Sequence, residues 1–181
     1  MNADEYLKHW KGRHVWTHLT NAKHRRRFDV LADHLEGADF IDVGCALGHS
    51  TLELARRRPL ARWTGLDFSQ EAIDGARAAF PTIPFIFSPD YDLQAACGRK
   101  WDGVVCSEVL EHVEDKNEAA MVAGLLSITA RTLVISTPAV KVGDPGHLRL
   151  YTPGRISEIF KAAGASRTFL DGPYIYGVFR P

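Results

Sequence analysis

The sequence predicts an α/β fold: a three-layer sandwich around a seven-stranded, mostly parallel sheet whose last strand runs antiparallel. Two patterns predict it. Between residues 23 and 163, short apolar runs alternate with amphipathic segments. Such alternation makes βα units and a parallel sheet with helices on both faces. After that the alternation stops. Residues 166–171 and 174–180 are β-rich runs joined only by Asp171-Gly172-Pro173. That linker has no room for a crossover helix, so the two runs form a hairpin and one strand must be antiparallel.

The elements follow in order. Phe28, Val30, Leu31 and Leu35 lie at helical spacing and predict a helix over 23–35. Strands are expected at 39–44, 62–67, 84–88, 101–106 and 131–137, each a short run of apolar, aromatic or β-branched residues. Helices at 48–58, 70–79, 115–127 and 153–163 fill the gaps. Pro59 stops the helix at 48–58, and Ser69 is placed to cap the one that follows. Gly164 suits the end of the last helix.

Composition narrows the class. The chain has 181 residues, enough for one domain spanning 1–181, with 1–35 as an N-terminal helical arm or lid. Hydrophobic residues make up 45% and charged residues 24%, as in a soluble globular protein. No apolar run approaches the roughly 18 residues that a membrane span needs. The start, Met1-Asn2-Ala3-Asp4-Glu5-Tyr6, lacks the basic and apolar regions of a signal peptide, so a cytoplasmic monomer or homodimer is expected. Cys45, Cys97 and Cys106 have no CxxC spacing and read as reduced thiols.

The formal net charge is zero, so the molecule as a whole has no electrostatic case for nucleic acid or a membrane surface. The charge is unevenly spread, however. Residues 1–31 hold seven lysines and arginines against three acids, together with His9, His14, His18, His24, Trp10 and Trp16. Such a segment suits either an anionic substrate or a solvated helix face.

The stretch Phe40-Ile41-Asp42-Val43-Gly44-Cys45-Ala46-Leu47-Gly48 is a strand entering a glycine turn before a helix. A turn of this kind lets a ligand lie close to the backbone, and the helix aims its amides at the same place. The dinucleotide fingerprint G-x-G-x-x-G/A does not match, because Ala46 and His49 occupy its second and third small positions. No G-K-[ST] follows, which excludes a P-loop. At the end of the second strand stands Asp67, where a carboxylate can accept hydrogen bonds from ribose hydroxyls.

The pattern Asp42-x-Gly44-x-Ala46-x-Gly48 resembles the first motif of class I S-adenosylmethionine (SAM)-dependent methyltransferases, with Ala46 in place of the middle glycine. Together with Asp67 and the terminal hairpin, the resemblance covers roughly residues 23–181 and implies a Rossmann-like fold and SAM as cofactor. It implies that the loop Asp42, Gly44, Cys45, Ala46 and Gly48 lies against the cofactor. Asp67 would hold the ribose with Phe68 beside it, and Asp90 the adenine amino group with Tyr91 beside the ring. Asp92 competes with Asp90 for that role. Ser107, after the fourth strand, would lie under the methionine part.

Ser107-Glu108-Val109-Leu110-Glu111-His112-Val113 follows the fourth strand directly. Were it helical, Glu108, Glu111 and His112 would share one face of one turn. Two carboxylates and an imidazole can hold a divalent ion, or supply a general base with a fixed tautomer. The segment is similar to the ubiquinone-biosynthesis O-methyltransferases and to the small-RNA 2′-O-methyltransferases, whose E-x-x-E-H cluster plus a later histidine holds a metal. His147 is the natural fourth ligand here. The resemblance of His147-Leu148-Arg149-Leu150-Tyr151-Thr152 to the H-x-R-x-[FY]-[ST] segment of quinone-type enzymes places His147, Arg149 and Tyr151 in an acceptor pocket. The expectation is methyl transfer to a small-molecule hydroxyl. A metal-dependent RNA 2′-O-methyltransferase and a non-catalytic SAM-binding domain are the alternatives.

Overall fold

The computed structural model describes residues 21–140, 147–148 and 151–181. Most of the expected arm, including Trp10 and Trp16, lies outside the described residues, as does Arg149. The strands are β1 (Asp39–Val43), β2 (Arg62–Asp67), β3 (Phe85–Phe87), β4 (Trp101–Ser107), β5 (Thr129–Pro138), β6 (Arg167–Asp171) and β7 (Tyr174–Phe179). The helices are α1 (Ala22–Asp33), α2 (His49–Arg57), α3 (Gln70–Ala79), α4 (Leu93–Cys97), α5 (Asp115–Ser127) and α6 (Pro153–Ala162).

The seven strands form one sheet in the order β3-β2-β1-β4-β5-β7-β6. Strands β1 to β5 pair in parallel. Strand β7 inserts between β5 and β6 and is antiparallel to both. The fold is thus the expected Rossmann-like sandwich with an antiparallel last strand. Among the described residues, no helix is long and apolar enough to cross a membrane.

Local chemistry sets the boundaries. Ser69 Oγ accepts the Ala72 N–H at 3.2 Å and starts α3. Gly164, at φ +87°, ends α6, and the Ala165 N–H reaches back to the Phe160 carbonyl at 2.8 Å. Helix α4 is not foreshadowed by periodicity, since five residues are too few to show a period. Its start is signalled by Asp92, whose carboxylate caps the Ala95 N–H at 3.1 Å.

Alternation along the strands divides the core between the two faces of the sheet. Val104, Cys106, Leu133 and Ile135 pack with α5 and α6 residues such as Met121, Leu125, Ile156 and Phe160. Val105 and Val134 face the other way, against Phe28 and Leu31 of α1 and Leu54 of α2. Strand order reverses at β1, which has β2 on one side and β4 on the other. The loops leaving β1, β2 and β4 therefore meet at the carboxyl edge, where open α/β sheets bind ligands.

Candidate active site

The loop leaving β1 is locked to β2. The N–H groups of Gly44 and Cys45 both donate to the Leu66 carbonyl, at 2.7 and 3.0 Å. Gly44 has φ +82°, and a Cβ there would fall 2.3 Å from a Val109 methyl. Glycine is therefore required twice, by conformation and by the close passage of the turn after β4. Gly48, at φ +80°, adjoins the amino end of α2, which carries no side-chain cap. The first amides of that helix remain available to a polar ligand.

Ala46 also adopts a left-handed conformation, at φ +46°. The turn thus keeps the backbone shape that glycine takes without cost, in spite of the methyl group. Its amide donates to Asp67 Oδ2 at 2.7 Å, while the Ser69 N–H donates to Asp67 Oδ1 at 2.9 Å. Two backbone amides from different loops hold the Asp67 carboxylate at the end of β2. Asp42 has another task. It is 2% exposed, and its Oδ2 accepts from Ser50 Oγ at 2.7 Å and Thr51 Oγ1 at 2.8 Å. Burial pushes its pKa up, which these hydroxyls and the Arg27 charge oppose. Asp42 ties β1 to the first turn of α2 and so orients the loop.

Beyond β2, the rings of Phe68 and Tyr91 meet edge to face at 5.3 Å. Asp90 Oδ1 accepts the Asp92 N–H at 2.9 Å, and Asp92 is occupied in capping α4. Of the two acids that compete after β3, Asp90 is the one not spent on a helix cap. Ser107 lies at the end of β4, where its hydroxyl meets that of Ser136 on β5 at 2.8 Å.

The turn after β4 departs from the expected helical face. Glu108 takes φ +60°, and only a 3₁₀ turn, Leu110–His112, follows. One left-handed residue leaves Glu108 off the helical face it would have shared with Glu111 and His112. The Glu108 carboxylate faces Arg27 Nη1 at 3.3 Å, whereas Glu111 is 1% exposed and points inward. Thr137 Oγ1 donates to Glu111 Oε2 at 3.1 Å, and the other oxygen stands 4.0 Å from His147 Nε2. The His112 and His147 rings meet edge to face at 4.8 Å. A backbone bond, Leu148 N–H to the Glu111 carbonyl at 2.9 Å, brings the distant His147 segment here. Burial, and then the Glu108 charge, push the Glu111 carboxyl well above the usual range.

Glu111, His112 and His147 thus offer three ligand atoms within 4.8 Å of one another, a group that could hold a metal ion. Glu108, expected as a fourth member, is not in it. Tyr151 also differs from its expected place in an acceptor pocket. It is 1% exposed in the core, and its hydroxyl donates to Glu118 of α5 at 2.5 Å. Apolar packing against α5 and α6 draws the ring inward, and Glu118 satisfies its one polar atom.

Three residues near the site carry no individual role in the sequence reading. Arg27 is 4% exposed, and its guanidinium carbon lies 5.0 Å from the centre of the Tyr174 ring. His24 Nδ1 hydrogen-bonds the Tyr174 hydroxyl. Thr137 supports Glu111. A signal existed for Arg27, which falls one turn before Leu31, on the apolar face of α1 rather than its solvated side.

Known proteins resemble this chain in sequence and in fold. A family described as a methyltransferase domain matches residues 40–131. Trans-aconitate 2-methyltransferase of Escherichia coli O157:H7 is 38% identical over 74 residues, covering 40% of this chain and 29% of the relative. Magnesium-protoporphyrin O-methyltransferase of Synechocystis is 31% identical over 111 residues, covering 59% and 47%. The chain therefore matches less than half the length of these curated relatives. Among solved structures, the Synechocystis magnesium protoporphyrin IX methyltransferase with bound SAM has a TM-score of 0.66 at 21% identity, covering 99% of this chain and 100% of that one. The methyltransferase domain of bacterial CtHen1 has a TM-score of 0.73 at 19% identity, covering 89% and 99%. With the glycine turn, Asp67 and the β5-β7-β6 edge already in place, the chain belongs to the methyltransferase domain family and has the fold of the class I SAM-dependent methyltransferases.

Proposed function

We propose that this domain transfers the methyl group of SAM to a hydroxyl oxygen of a small-molecule acceptor. The observation that carries the reading is the pairing of two groups at the switch point. Asp67, clamped by the Ala46 and Ser69 amides, ends β2, and the Glu111–His112–His147 cluster follows β4 and β5. Bound SAM supplies an electrophilic methyl group. Gly44, Cys45, Ala46 and Gly48 form the backbone wall against which it would lie. Asp67 would accept from the ribose hydroxyls, Asp90 would meet the adenine amino group, and Phe68 and Tyr91 would flank the ring. Ser107 would lie beneath the methionine part.

On the acceptor side, the residues have two tasks: to align an oxygen and to take its proton. Alignment of reactants is worth about 7–11 kcal/mol of barrier, and general-base assistance about 10²–10⁴-fold in rate. His112 and His147 are the candidate bases, with Glu111 beside them to orient an imidazole. His147 and Arg149 are the remaining acceptor-pocket candidates.

A second reading is favoured by one observation. Glu111 Oε1 is buried and makes no hydrogen bond among the described residues. A divalent ion held by Glu111, His112 and His147 would satisfy it, and would serve as a Lewis acid towards an acceptor hydroxyl.

Calorimetric titration with SAM tests the cofactor site: wild type binds and Asp67→Ala binds at least about tenfold more weakly. Methyl-labelled SAM incubated with fractionated metabolites and RNA, with and without chelator, tests the rest. Label in a metabolite hydroxyl supports the proposal. Label in RNA that vanishes with chelator overturns it in favour of an RNA methyltransferase. SAM binding with no transfer to any fraction favours a non-catalytic domain.

A further inference from the structure

Arg27 is the one buried cation among the described residues. It projects from α1 between the aromatic rings of Phe28 and Tyr174, with its guanidinium carbon 5.0 Å from both ring centres. Its Nη1 faces Glu108 Oε2 at 3.3 Å, with side-chain exposures of only 5% and 16%. Glu108, in turn, is one of two non-glycine residues with positive φ among the described residues. A left-handed glutamate is strained, and it persists only where its surroundings hold it. The backbone and the side chain are both anchored here. The Glu108 N–H donates to the Ser136 carbonyl at 3.0 Å, and the side chain is drawn to Arg27. Released to the right-handed region, Glu108 would continue towards a helical turn and rotate the residues after it.

We propose that Arg27 is a positioning residue of the acceptor side: by holding Glu108 in its left-handed conformation, it fixes the turn that presents Glu111 and His112 to His147. A helix before the first strand thereby sets the geometry of a cluster after the fourth. The inference rests on reading that cluster as the acceptor side of the site.

The test is a double-mutant cycle read by NMR of the His112 and His147 ring signals. Glu108→Gly accepts positive φ without a side-chain anchor, so it uncouples the turn from Arg27. The expected result is that Arg27→Met shifts both sets of ring signals in the wild-type background and moves neither in the Glu108→Gly background. Unchanged signals in Arg27→Met would overturn the proposal. So would equal shifts in both backgrounds, which is the outcome of direct electrostatic action on Glu111 or of general loosening. SAM binding by calorimetry checks the fold of each variant. Should Arg27→Met fail to fold, Arg27→Gln replaces it under the same criteria, since it removes the charge that holds Glu108 but keeps a polar head in the buried site. The ring signals report geometry whether or not a methyl group moves. Coupling without transfer to any acceptor would remove the functional reading and leave the positioning role standing.

Discussion

Ala46 stands at φ +46° and donates its backbone N–H to Asp67 Oδ2 at 2.7 Å. The residue that departs from the glycine pattern is therefore one of the two that clamp the Asp67 carboxylate at the end of β2. The left-handed backbone costs an alanine about 1–2 kcal/mol, partly offset by a hydrogen bond to a charged acceptor. Ala46→Gly keeps the amide and removes the steric cost, at the expense of some unfolded-state entropy. It should raise stability by about 0.5–1 kcal/mol, or the melting temperature by about 1–4 °C. Thermal unfolding checks this; a lower melting temperature refutes it.

Gly44→Ala should go the other way. The added Cβ falls 2.3 Å from Val109 Cγ2 at φ +82°, so both the side chain and the backbone object. A loss of about 1–3 kcal/mol is expected. Adding Val109→Ala relieves only the contact, so urea unfolding of the double variant should show partial recovery relative to the Val109→Ala parent.

Tyr151→Phe separates a core residue from an acceptor-pocket residue. Loss of the bond to Glu118 should cost about 0.5–1.5 kcal/mol of stability. Label transfer from SAM per folded molecule should stay at the wild-type rate. A rate deficit in a fully folded variant would return Tyr151 to the acceptor side.

His24 gives the molecule a pH dependence with a definite sign. Burial, and then the Arg27 charge, lower its pKa below the ordinary 6.5. The folded state binds its proton less readily than the unfolded state, so this contribution is complete above about pH 6.5 and is lost as the pH falls through the lowered value. The Glu111 and His49 contributions are common to both proteins, so the stability of wild type relative to His24→Gln should fall as the pH drops below about 6.5, as followed by urea midpoints.

Elements and their order were legible because they rest on local regularities. The period of Phe28, Val30, Leu31 and Leu35, the cap at Ser69 and the tight link Asp171-Gly172-Pro173 each act over a few residues. Asp42, Gly44, Gly48 and Asp67 were equally visible, because spacing at strand ends translates directly into loop position. The Glu111–His112–His147 cluster was half legible. Its members were named, but an ideal helical turn was assumed for the residues around them.

What the sequence alone determined is the alternating sheet, its antiparallel edge and the glycine turn after the first strand. What only the tertiary structure decided is where the side chains after the fourth and fifth strands point. Glu108 turns to Arg27, across 81 residues of chain, because a buried cation on α1 needs an anion and the carbonyl of Ser136 holds the backbone for it. Tyr151 goes inward with the apolar packing of α5 and α6, and Glu118 receives its hydroxyl there. Long-range pairing of buried polar groups carries no period, so no window of sequence displays it.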